Sequence, residues 1–417
     1  MTAASLRRVE VTQSRFDPRR LRREFPIYDN NPGLVFLDSG ASAQKPRRVI
    51  DGIAEFYRTD YANVHRGVYR LSARSTELYE EARDKVRRFL NAADRREIVF
   101  VRNTTEAINL VAQSWGPAFL RDGDEVLISE LEHHSNIVPW QLLRDRLGIR
   151  LVVAQIDATG GLDLSSFEAA LSPRTRLVAV THVANATGTL VPVERVVQLA
   201  HRHGARVLID GSQAAPRLPV DVQALGCDFY AFTGHKVYGP TGIGVLHARY
   251  DVLSAMPPYQ GGGEMILHVS FEKTEYQEPP HRFEAGTPDI AGAIGLGFAI
   301  DFIEELGREN ILDHEEALTG YGVDRLSRIP GLRLLGAGQQ RLGILSFDLD
   351  GVHPHDVAQV LDRHHVAVRA GHHCAQPLME RLGLSGSTRA SLGVYNDEAD
   401  IDRLAVAIEA TREMFAR

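Results

Sequence analysis

The chain contains little cysteine and no long hydrophobic run. Cys227 and Cys374 are the two cysteines among 417 residues, and they stand far apart in the sequence. Two distant cysteines do not form the disulfide framework of a small secreted domain. No apolar run reaches the roughly 18 residues that a membrane span needs. Since an apolar secretory segment is also absent, the sequence predicts a cytoplasmic protein without a membrane partner.

Neither sign of charge dominates the chain. It has 47 basic and 54 acidic residues, a formal net charge of −7, and 44% hydrophobic residues. These values are ordinary for a globular protein and give no reason to expect a nucleic-acid partner. Seven arginines fall within the first 23 residues. Acidic residues interrupt them, and Phe16, Leu21 and Phe25 resemble anchors, so a short packed helix is favoured over a targeting peptide.

Lysine is almost absent. Of the 47 basic residues, four are lysine, namely Lys45, Lys85, Lys236 and Lys273, and the others are arginine. Arginine supplies charge but stays protonated, so it cannot form a Schiff base with an aldehyde. A lysine amine that loses its proton is the usual carbonyl-capturing nucleophile. Lys236 follows an apolar run in Phe232-Thr-Gly-His-Lys-Val-Tyr-Gly-Pro240, and it is therefore either a surface lysine in a turn or such a nucleophile.

Short β-rich runs alternate with helical stretches from about residue 98. The predicted strands are 98–101, 125–129, 151–154, 177–182, 206–210, 229–233 and 244–247. This alternation predicts the α/β class, with a mainly parallel seven-stranded sheet covered by helices on both faces. Ligands bind such sheets at the carboxyl ends of the strands. Asp210 and Thr233 fall at these ends, so Asp210 and Lys236 are expected in one crevice.

A second domain is predicted from a change in composition near residues 286–300. Closely spaced glycines there begin a long apolar helix, and strands at 343–348, 366–370 and 389–394 follow it. Together with a final helix from about residue 398, this pattern predicts a smaller α+β domain. We predict a large domain of residues 31–299. The small domain, residues 1–30 plus 300–417, is expected to carry the Cys374 loop.

The first candidate constellation is Asp210-Gly-Ser-Gln213, followed by Lys236 after the next predicted strand. An aspartate at a strand end can pair with the pyridinium nitrogen of pyridoxal phosphate, which makes the cofactor ring an electron sink. Gln213 could hydrogen-bond the ring hydroxyl. An isolated aspartate at a strand end is usually structural. The placement of Asp210 and Lys236 on consecutive strands favours the cofactor interpretation.

Side chains suited to a phosphate group follow two predicted strands. Thr104 and Thr105 open a predicted helix, and Thr233 and His235 stand just before Lys236. A helix N-terminus offers free N–H groups and a positive dipole end, which suit a dianionic phosphate. Threonines in this position are also ordinary helix caps, so the phosphate interpretation depends on the other motifs.

The segment Glu132-His133-His134-Ser135-Asn136 follows the predicted strand 125–129. The flat imidazole of His133 could stack on a cofactor ring and move protons, and the alternative is an ordinary pair of loop histidines. A metal site would have to combine these histidines with 364–365 and 372–374. Because the short fixed spacings of zinc ligands are absent, we predict no metal.

The remaining constellation lies near the C-terminus. In Arg369-Ala-Gly-His-His-Cys374-Ala-Gln-Pro, a lone cysteine in a loop after a strand is a candidate nucleophile, and nearby cations favour its thiolate. Cys227 precedes an apolar strand and is interpreted as an inert core residue. Arg389 starts a predicted strand and could bind a substrate carboxylate in a bidentate way.

Together these segments resemble the class V, fold-type-I enzymes that use pyridoxal phosphate, and more narrowly the SufS-type (group II) cysteine desulfurases. The similarity extends from about Phe25 to the C-terminus. The motifs that carry it are Asn63-Val-His-Arg-Gly67, Arg102-Asn-Thr-Thr-Glu106, Glu132-His-His-Ser-Asn-Ile-Val-Pro-Trp140, Asp210-Gly-Ser-Gln213, Thr233-Gly-His-Lys-Val-Tyr-Gly-Pro-Thr-Gly242, Gly261-Gly-Gly-Glu-Met265, Arg282-Phe-Glu-Ala-Gly-Thr-Pro288 and Gly371-His-His-Cys-Ala-Gln-Pro377.

The resemblance implies a role in holding the cofactor for several of these residues. They are Lys236 as the covalent anchor, Asp210 at the pyridine nitrogen, Gln213 at the ring oxygen, His133 stacked on the ring, and Thr105, Thr233 and His235 at the phosphate, with Thr287 reaching in from the second subunit of a homodimer. It also implies that Asn185 and Arg389, with Arg369 nearby, bind the substrate carboxylate. Cys374 would then accept the sulfur.

The implied reaction converts L-cysteine to L-alanine and leaves a persulfide on Cys374. A small SufE-like or SufU-like acceptor would take the sulfur for iron–sulfur cluster assembly. An aminotransferase, a selenocysteine lyase or another class V enzyme would also fit Asp210 and Lys236, and a non-catalytic sulfur-relay scaffold is a further alternative. Cys374 discriminates against the aminotransferase, because that reaction needs no thiol.

Overall fold

The N-terminal segment packs onto the rest of the chain. The computed structural model describes residues 16–336 and 338–415. Its first elements are α1 (Pro18–Leu21), α2 (Pro26–Asn30), β1 (Val35–Phe36), α3 (Arg47–Thr59) and α4 (Arg70–Phe89). Phe25 is fully buried, and Phe16 and Leu21 pack against the same core. The three predicted anchors are therefore confirmed, whereas the first 15 residues of the arginine-rich segment lie outside the described residues.

A seven-stranded sheet follows. Its strands are β2 (Ile98–Val101), β3 (Glu125–Ser129), β4 (Arg150–Ala154), β5 (Thr175–Thr181), β6 (Arg206–Asp210), β7 (Phe229–Thr233) and β8 (Gly244–Ala248), in the spatial order β2-β8-β7-β6-β5-β3-β4. β8 pairs antiparallel with both neighbours, and the pairs from β7 to β4 are parallel. Every residue of β3 and β7 is buried, as expected of a sheet covered on both faces. The predicted sheet is confirmed.

Helices connect these strands. They are α5 (Thr104–Leu110), α6 (Gly116–Phe119), α7 (Val138–Leu147), α8 (Leu164–Ala170), α9 (Val193–Arg202), α10 (Val222–Leu225) and α11 (Tyr250–Ala255). A π-helical turn at Val111–Trp115 joins α5 to α6, so helical backbone continues from Thr104 to Phe119. In the part of the chain that the structure describes, no helix is both long and apolar enough to cross a bilayer.

An exposed hairpin separates the seven-stranded sheet from the C-terminal elements. It is formed by β9 (Ile266–Val269) and β10 (Thr274–Tyr276), which pair antiparallel. Leu267 is 68% exposed and Phe271 in the turn is 108% exposed. The hairpin therefore presents large apolar side chains to solvent.

The C-terminal part forms a second sheet with helices on it. Its elements are α12 (Ile290–Leu306), α13 (Arg308–Ser327), β11 (Leu332–Leu334), β12 (Ile344–Leu349), α14 (Pro354–Arg363), β13 (Val366–Ala367), β14 (Arg369–Gly371), α15 (Gln376–Arg381), β15 (Ser387–Ser391) and α16 (Glu398–Phe415). The sheet order is β11-β12-β15-β14, whereas β13 pairs with β1. The predicted strand 366–370 is thus two strands, because its halves pair with different partners. The domain boundaries given above remain a prediction.

A buried ion pair joins α4 to the segment before α12. Arg83 Nη1 and Nη2 donate to Glu284 Oε1 at 2.6 Å and Oε2 at 2.9 Å, and the two side chains are 1% and 7% exposed. The Phe100 backbone N–H of β2 also donates to Glu284 Oε1, at 2.7 Å. Glu284 therefore fixes the loop that contains Thr287 to the large sheet.

Replacing Arg83 by methionine is expected to destabilise the protein strongly. The substitution leaves the Glu284 carboxylate buried without its counter-charge, and such a loss costs about 3–5 kcal/mol. The free energy of unfolding in urea measures it. Arg88→Met is the matched control, because Arg88 on the same helix pairs with Asp84 at 3.2 Å in an exposed position and should change stability by less than about 1 kcal/mol. Equal losses of unfolding free energy in the two variants would contradict the conclusion that the buried Arg83–Glu284 pair stabilises the fold.

Candidate active site

A cavity of about 300 Å³ opens at the carboxyl ends of the strands of the large sheet. Nearly all of the predicted site residues line it. They are Thr104, Thr105, His133, Asn185, Asp210, Gln213, Thr233, His235, Lys236, Arg369, Cys374 and Arg389. The cysteine loop and the two arginines come from the C-terminal part of the chain, so the cavity lies between the two sheets.

Asp210 and Lys236 are held by neighbouring strands. Asp210 is the last residue of β6 and is buried, and its Oδ1 accepts the Ser212 backbone N–H at 2.9 Å. Lys236 ends a short 3₁₀ turn, Gly234–Lys236, directly after β7. Burial lowers the pKa of Lys236 to about 8, with the positive charges of Arg389 and Arg217 adding to the effect and the negative charge of Asp210 opposing it. The amine is therefore partly neutral near physiological pH.

This lowered pKa predicts how the rate of covalent cofactor attachment depends on pH. The attacking amine must be unprotonated, so the rate should rise about tenfold per pH unit and level off near pH 8. An unperturbed lysine would continue the rise to about pH 10. Mixing apoprotein with pyridoxal phosphate in a stopped-flow spectrometer measures the rate. A rise that continues well above pH 8 would contradict the buried environment of Lys236.

His133 is held in its neutral form. Burial lowers its pKa to about 4, and the positive charge of Lys236 contributes. Its Nδ1 accepts the Ser135 backbone N–H at 3.0 Å and lies 2.8 Å from Ser135 Oγ. Because Nδ1 is an acceptor, the ring proton resides on Nε2. His133 can therefore donate a hydrogen bond from Nε2 at neutral pH.

One set of polar groups that line the cavity fits a phosphate. The Thr233 hydroxyl is buried and has no hydrogen-bond partner among the described residues. The N-cap of α5 is Asn103, which accepts the Glu106 N–H at 2.9 Å, so Thr104 and Thr105 form the first turn. The N–H groups of a first turn have no partner within the helix. An unpartnered hydroxyl and a helix start at one cavity are the donors that a phosphate needs, so the residues fit pyridoxal phosphate.

A second set of the residues that line the cavity is suited to a carboxylate. Arg389 is 2% exposed, and burial lowers its pKa to about 10, which leaves it charged at neutral pH. Its Nη1 donates to the Asn185 carbonyl at 2.8 Å. Arg389 Nε and Asn185 Oδ1 are buried and have no hydrogen-bond partner within residues 16–336 and 338–415. A charged donor with unused hydrogen-bonding capacity favours an anionic ligand here.

The Cys374 loop is fixed against this site by hydrogen bonds from two directions. The His134 N–H donates to the Cys374 carbonyl at 2.7 Å, and Asn185 Nδ2 donates to the His373 carbonyl at 2.6 Å. The Gln376 N–H donates to His134 Nε2 at 3.1 Å. His373 and Cys374 have φ angles of 53° and 56°, an uncommon conformation that these contacts maintain. Cys374 is exposed, so its thiol is accessible.

Three residues near the site were not assigned a role from the sequence. Lys45 Nζ donates to the His235 carbonyl at 3.0 Å and so supports the turn that ends in Lys236. Glu132 is buried and accepts hydrogen bonds from Ser129 Oγ at 2.5 Å and Asn136 Nδ2 at 2.7 Å; burial raises its pKa to about 8. Asp38 contacts both arginines of the site. The scarcity of lysine was a signal for Lys45, and no role was assigned to Asp38.

Thr287 lies outside the cavity and is exposed. Its predicted role required a second subunit, and that role remains a prediction. Among the described residues, no three or more histidine, cysteine, aspartate or glutamate side chains gather in a group that could hold a metal ion.

Known proteins resemble this chain in sequence and in fold. The family described as "Aminotransferase class-V" matches residues 35–404. A probable cysteine desulfurase of Mycobacterium leprae is 52% identical over 93% of this chain, which spans 64% of that relative's length. A cysteine desulfurase of Klebsiella pneumoniae is 49% identical, with 96% of this chain and 99% of the relative covered. The crystal structure of the cysteine desulfurase CsdA from Escherichia coli has a TM-score of 0.90 at 40% identity and covers 96% of this chain and 99% of its own.

The chain therefore belongs to the class-V aminotransferase family, and within it to the cysteine desulfurases. The predicted family and fold class are confirmed at this level, as is pyridoxal phosphate as the cofactor of the family. The assignment to the group II subtype and the roles of the individual site residues remain predictions.

Proposed function

We propose that the protein is a pyridoxal-phosphate-dependent cysteine desulfurase of the SufS type. It would release L-alanine from L-cysteine and retain the sulfur as a persulfide on Cys374. The observation that carries this proposal is that Cys374 lines the same cavity as Lys236, Asp210 and Arg389. A thiol at this place is what distinguishes desulfuration from the other reactions of the family.

The cofactor would be held at both ends by residues of this chain. Asp210 is the acidic partner for the ring nitrogen, and Thr105, Thr233 and His235 are the phosphate ligands. The Nζ of Lys236 is the covalent anchor. Electrons from the substrate Cα would be accommodated by the ring of the bound cofactor. The unpartnered hydroxyl of Thr233 supports this arrangement.

The substrate would be oriented by its carboxylate. Arg389 and Asn185 bind this group, with Arg369 beside them, and the amino acid then extends toward Lys236. After release from the cofactor, Nζ of Lys236 is a base whose pKa of about 8 suits removal of the Cα proton near neutral pH. His133 is proposed as a proton relay during alanine formation: it would give up its Nε2 proton only as its Nδ1 takes up another, so that the ring stays neutral.

The sulfur transfer takes place at Cys374. Its thiolate attacks the sulfur of the substrate, a bond forms between the two sulfur atoms, and the bond between the substrate Cβ and its sulfur breaks. The electron pair of the broken bond stays with the carbon fragment, which is protonated and leaves as alanine. Cys374 is left as a persulfide, so no external oxidant is needed.

The persulfide sulfur would pass to a small SufE-like or SufU-like acceptor for iron–sulfur cluster assembly, in the cytoplasm. The enzyme is proposed to act as a homodimer. Thr287 is exposed and outside the cavity, as a residue that serves a second subunit would be. Leu267, Val269 and Phe271 of the hairpin are 68%, 55% and 108% exposed, and adjacent exposed apolar side chains usually mark an interface.

Product analysis tests the proposed reaction. Incubation of the holoprotein with L-cysteine should give alanine and sulfide in equal amounts once a thiol reductant is added, and a persulfide on Cys374 without it. Parallel reactions with a SufE-like and a SufU-like protein identify the acceptor by the increase in alanine formation. A keto acid in place of alanine would instead indicate an aminotransferase, and turnover of selenocysteine but not of cysteine would indicate a selenocysteine lyase.

A further inference from the structure

Asp38 contacts both of the arginines that line the cavity, Arg369 and Arg389. Arg369 Nε and Nη2 donate to Asp38 Oδ1 at 3.1 Å and Oδ2 at 3.0 Å, a bidentate pair. Arg389 Nη2 lies 3.5 Å from the same Oδ1. One carboxylate of the protein therefore interacts with both guanidinium groups that are proposed to receive the carboxylate of the substrate.

The backbone fixes Asp38 in this place. Asp38 forms a parallel bridge with Ser391, at the end of the strand that also contains Arg389. The Ser39 N–H donates to the Ser391 carbonyl at 3.2 Å, and the preceding Leu37 is fully buried. Pairing with β15 thus fixes the backbone from which the Asp38 carboxylate extends toward the arginines.

The charges of Asp38, Arg369 and Arg389 do not cancel. Two guanidinium groups face one carboxylate, which leaves one net positive charge. The side chain of Arg389 is 3% exposed and that of Asp38 is 19% exposed, so solvent screens these two charges less than the charge of Arg369, whose side chain is 49% exposed. An amino acid with one carboxylate and an uncharged side chain matches this single charge. A second acidic group on the ligand would be repelled by Asp38, because no arginine of this group would remain unpaired to bind it.

We propose that Asp38 is a specificity-determining residue: it neutralises one of the two arginines, and so selects amino acids that have one carboxylate over those that have two. The proposal rests on the proposed function, because it assigns the ligand of the arginines. Asp38 acts through Arg369 and Arg389 and does not touch the reacting atoms. It also holds Arg369 in position, since the bidentate pair fixes the plane of that guanidinium.

Equilibrium binding of two amino acids to the holoenzyme tests the proposal. The ligands are L-alanine, which has one carboxylate, and L-aspartate, which has two, and titration calorimetry measures their dissociation constants. Asp38→Asn removes the charge and keeps the shape. The ratio of the alanine to the aspartate dissociation constant should rise by at least about tenfold in this variant, the expected effect of one unit charge near a partly buried site.

Three further variants separate charge from geometry. Asp38→Glu keeps the negative charge. Its ratio of alanine to aspartate dissociation constants should therefore stay near that of the wild type, even if the affinities for both ligands change. Arg369→Gln removes one positive charge and should lower the ratio, which provides a test with the opposite sign if Asp38→Asn fails to fold. Asp251→Asn is the control, because Asp251 forms a surface pair with Arg249 at 3.1 Å and should leave the ratio unchanged.

The proposal would be overturned if the folded Asp38→Asn variant kept the wild-type ratio of dissociation constants, including the case in which both ligands lose affinity equally. Asp38 would then be only a structural support of the arginines. Neither ligand can release sulfur, so the result is independent of desulfuration. Binding without turnover of L-cysteine would refute the proposed function alone. Failure of the wild type to bind either ligand would refute the carboxylate site and this proposal with it.

Discussion

Replacing Cys374 by alanine is expected to abolish persulfide formation and to reduce alanine release from L-cysteine by at least about a thousandfold, the scale of loss when a reacting group is removed. The cofactor should remain bound. Its proposed ligands, such as Asp210 and Thr233, end strands of the large sheet, whereas Cys374 lies in a loop after β14. Mass spectrometry of the cysteine-treated protein detects the added sulfur, and the visible absorbance of the holoprotein reports cofactor retention.

Cys227→Ala is the matched control for this experiment, because each variant keeps one of the two cysteines. Cys227 is 1% exposed, and its burial raises the pKa of the thiol well above its usual range. It should therefore carry no sulfur, and its replacement should leave the rate of turnover near that of the wild type. Rapid L-cysteine turnover by the Cys374→Ala variant, or a persulfide on Cys227, would refute the assignment of the nucleophile.

Replacing Lys236 by alanine is expected to eliminate the covalent attachment of pyridoxal phosphate and to lower turnover by a factor on the order of 10⁴ or more. The substitution removes both the anchoring amine and the base for the Cα proton, and a positioned acid or base alone contributes about 10²–10⁴-fold. Borohydride reduction followed by peptide mapping measures the attachment. The phosphate ligands remain, so the variant should still bind the cofactor without a covalent bond.

Lys236→Arg and Lys273→Arg complete the comparison. Lys236→Arg keeps a positive charge but should fail in the same way as alanine, because a guanidinium does not lose its proton. Lys273 is 73% exposed on the hairpin, and its replacement should leave attachment unchanged. The informative competing amine is Lys45, whose Nζ lies 3.0 Å from the His235 carbonyl. Reduced cofactor found on Lys45 in the wild type would refute the choice of Lys236.

Much of the fold was predictable because most strands of the large sheet are short apolar runs that are largely buried, and most of them are followed by a helix. Such local patterns predicted the sheet and placed Asp210 at the end of β6, as observed. The division of the predicted strand 366–370 between two pairings was not predictable. The change of partner from β1 to β15 occurs between Ala367 and Arg369, and it depends on strands that are distant in sequence.

The sequence by itself determined the chemistry that the site can carry. Three residue types stand at recognisable positions in the sequence. They are a lysine in a chain that uses arginine almost everywhere, an aspartate one strand earlier, and a cysteine in a loop. Only the tertiary structure decided what surrounds them. The pKa of Lys236 follows from burial and from charges on separate elements. The contact of Asp38 with Arg369 joins residues 331 positions apart. Burial and long-range charge are properties of packing, so no local pattern contains them.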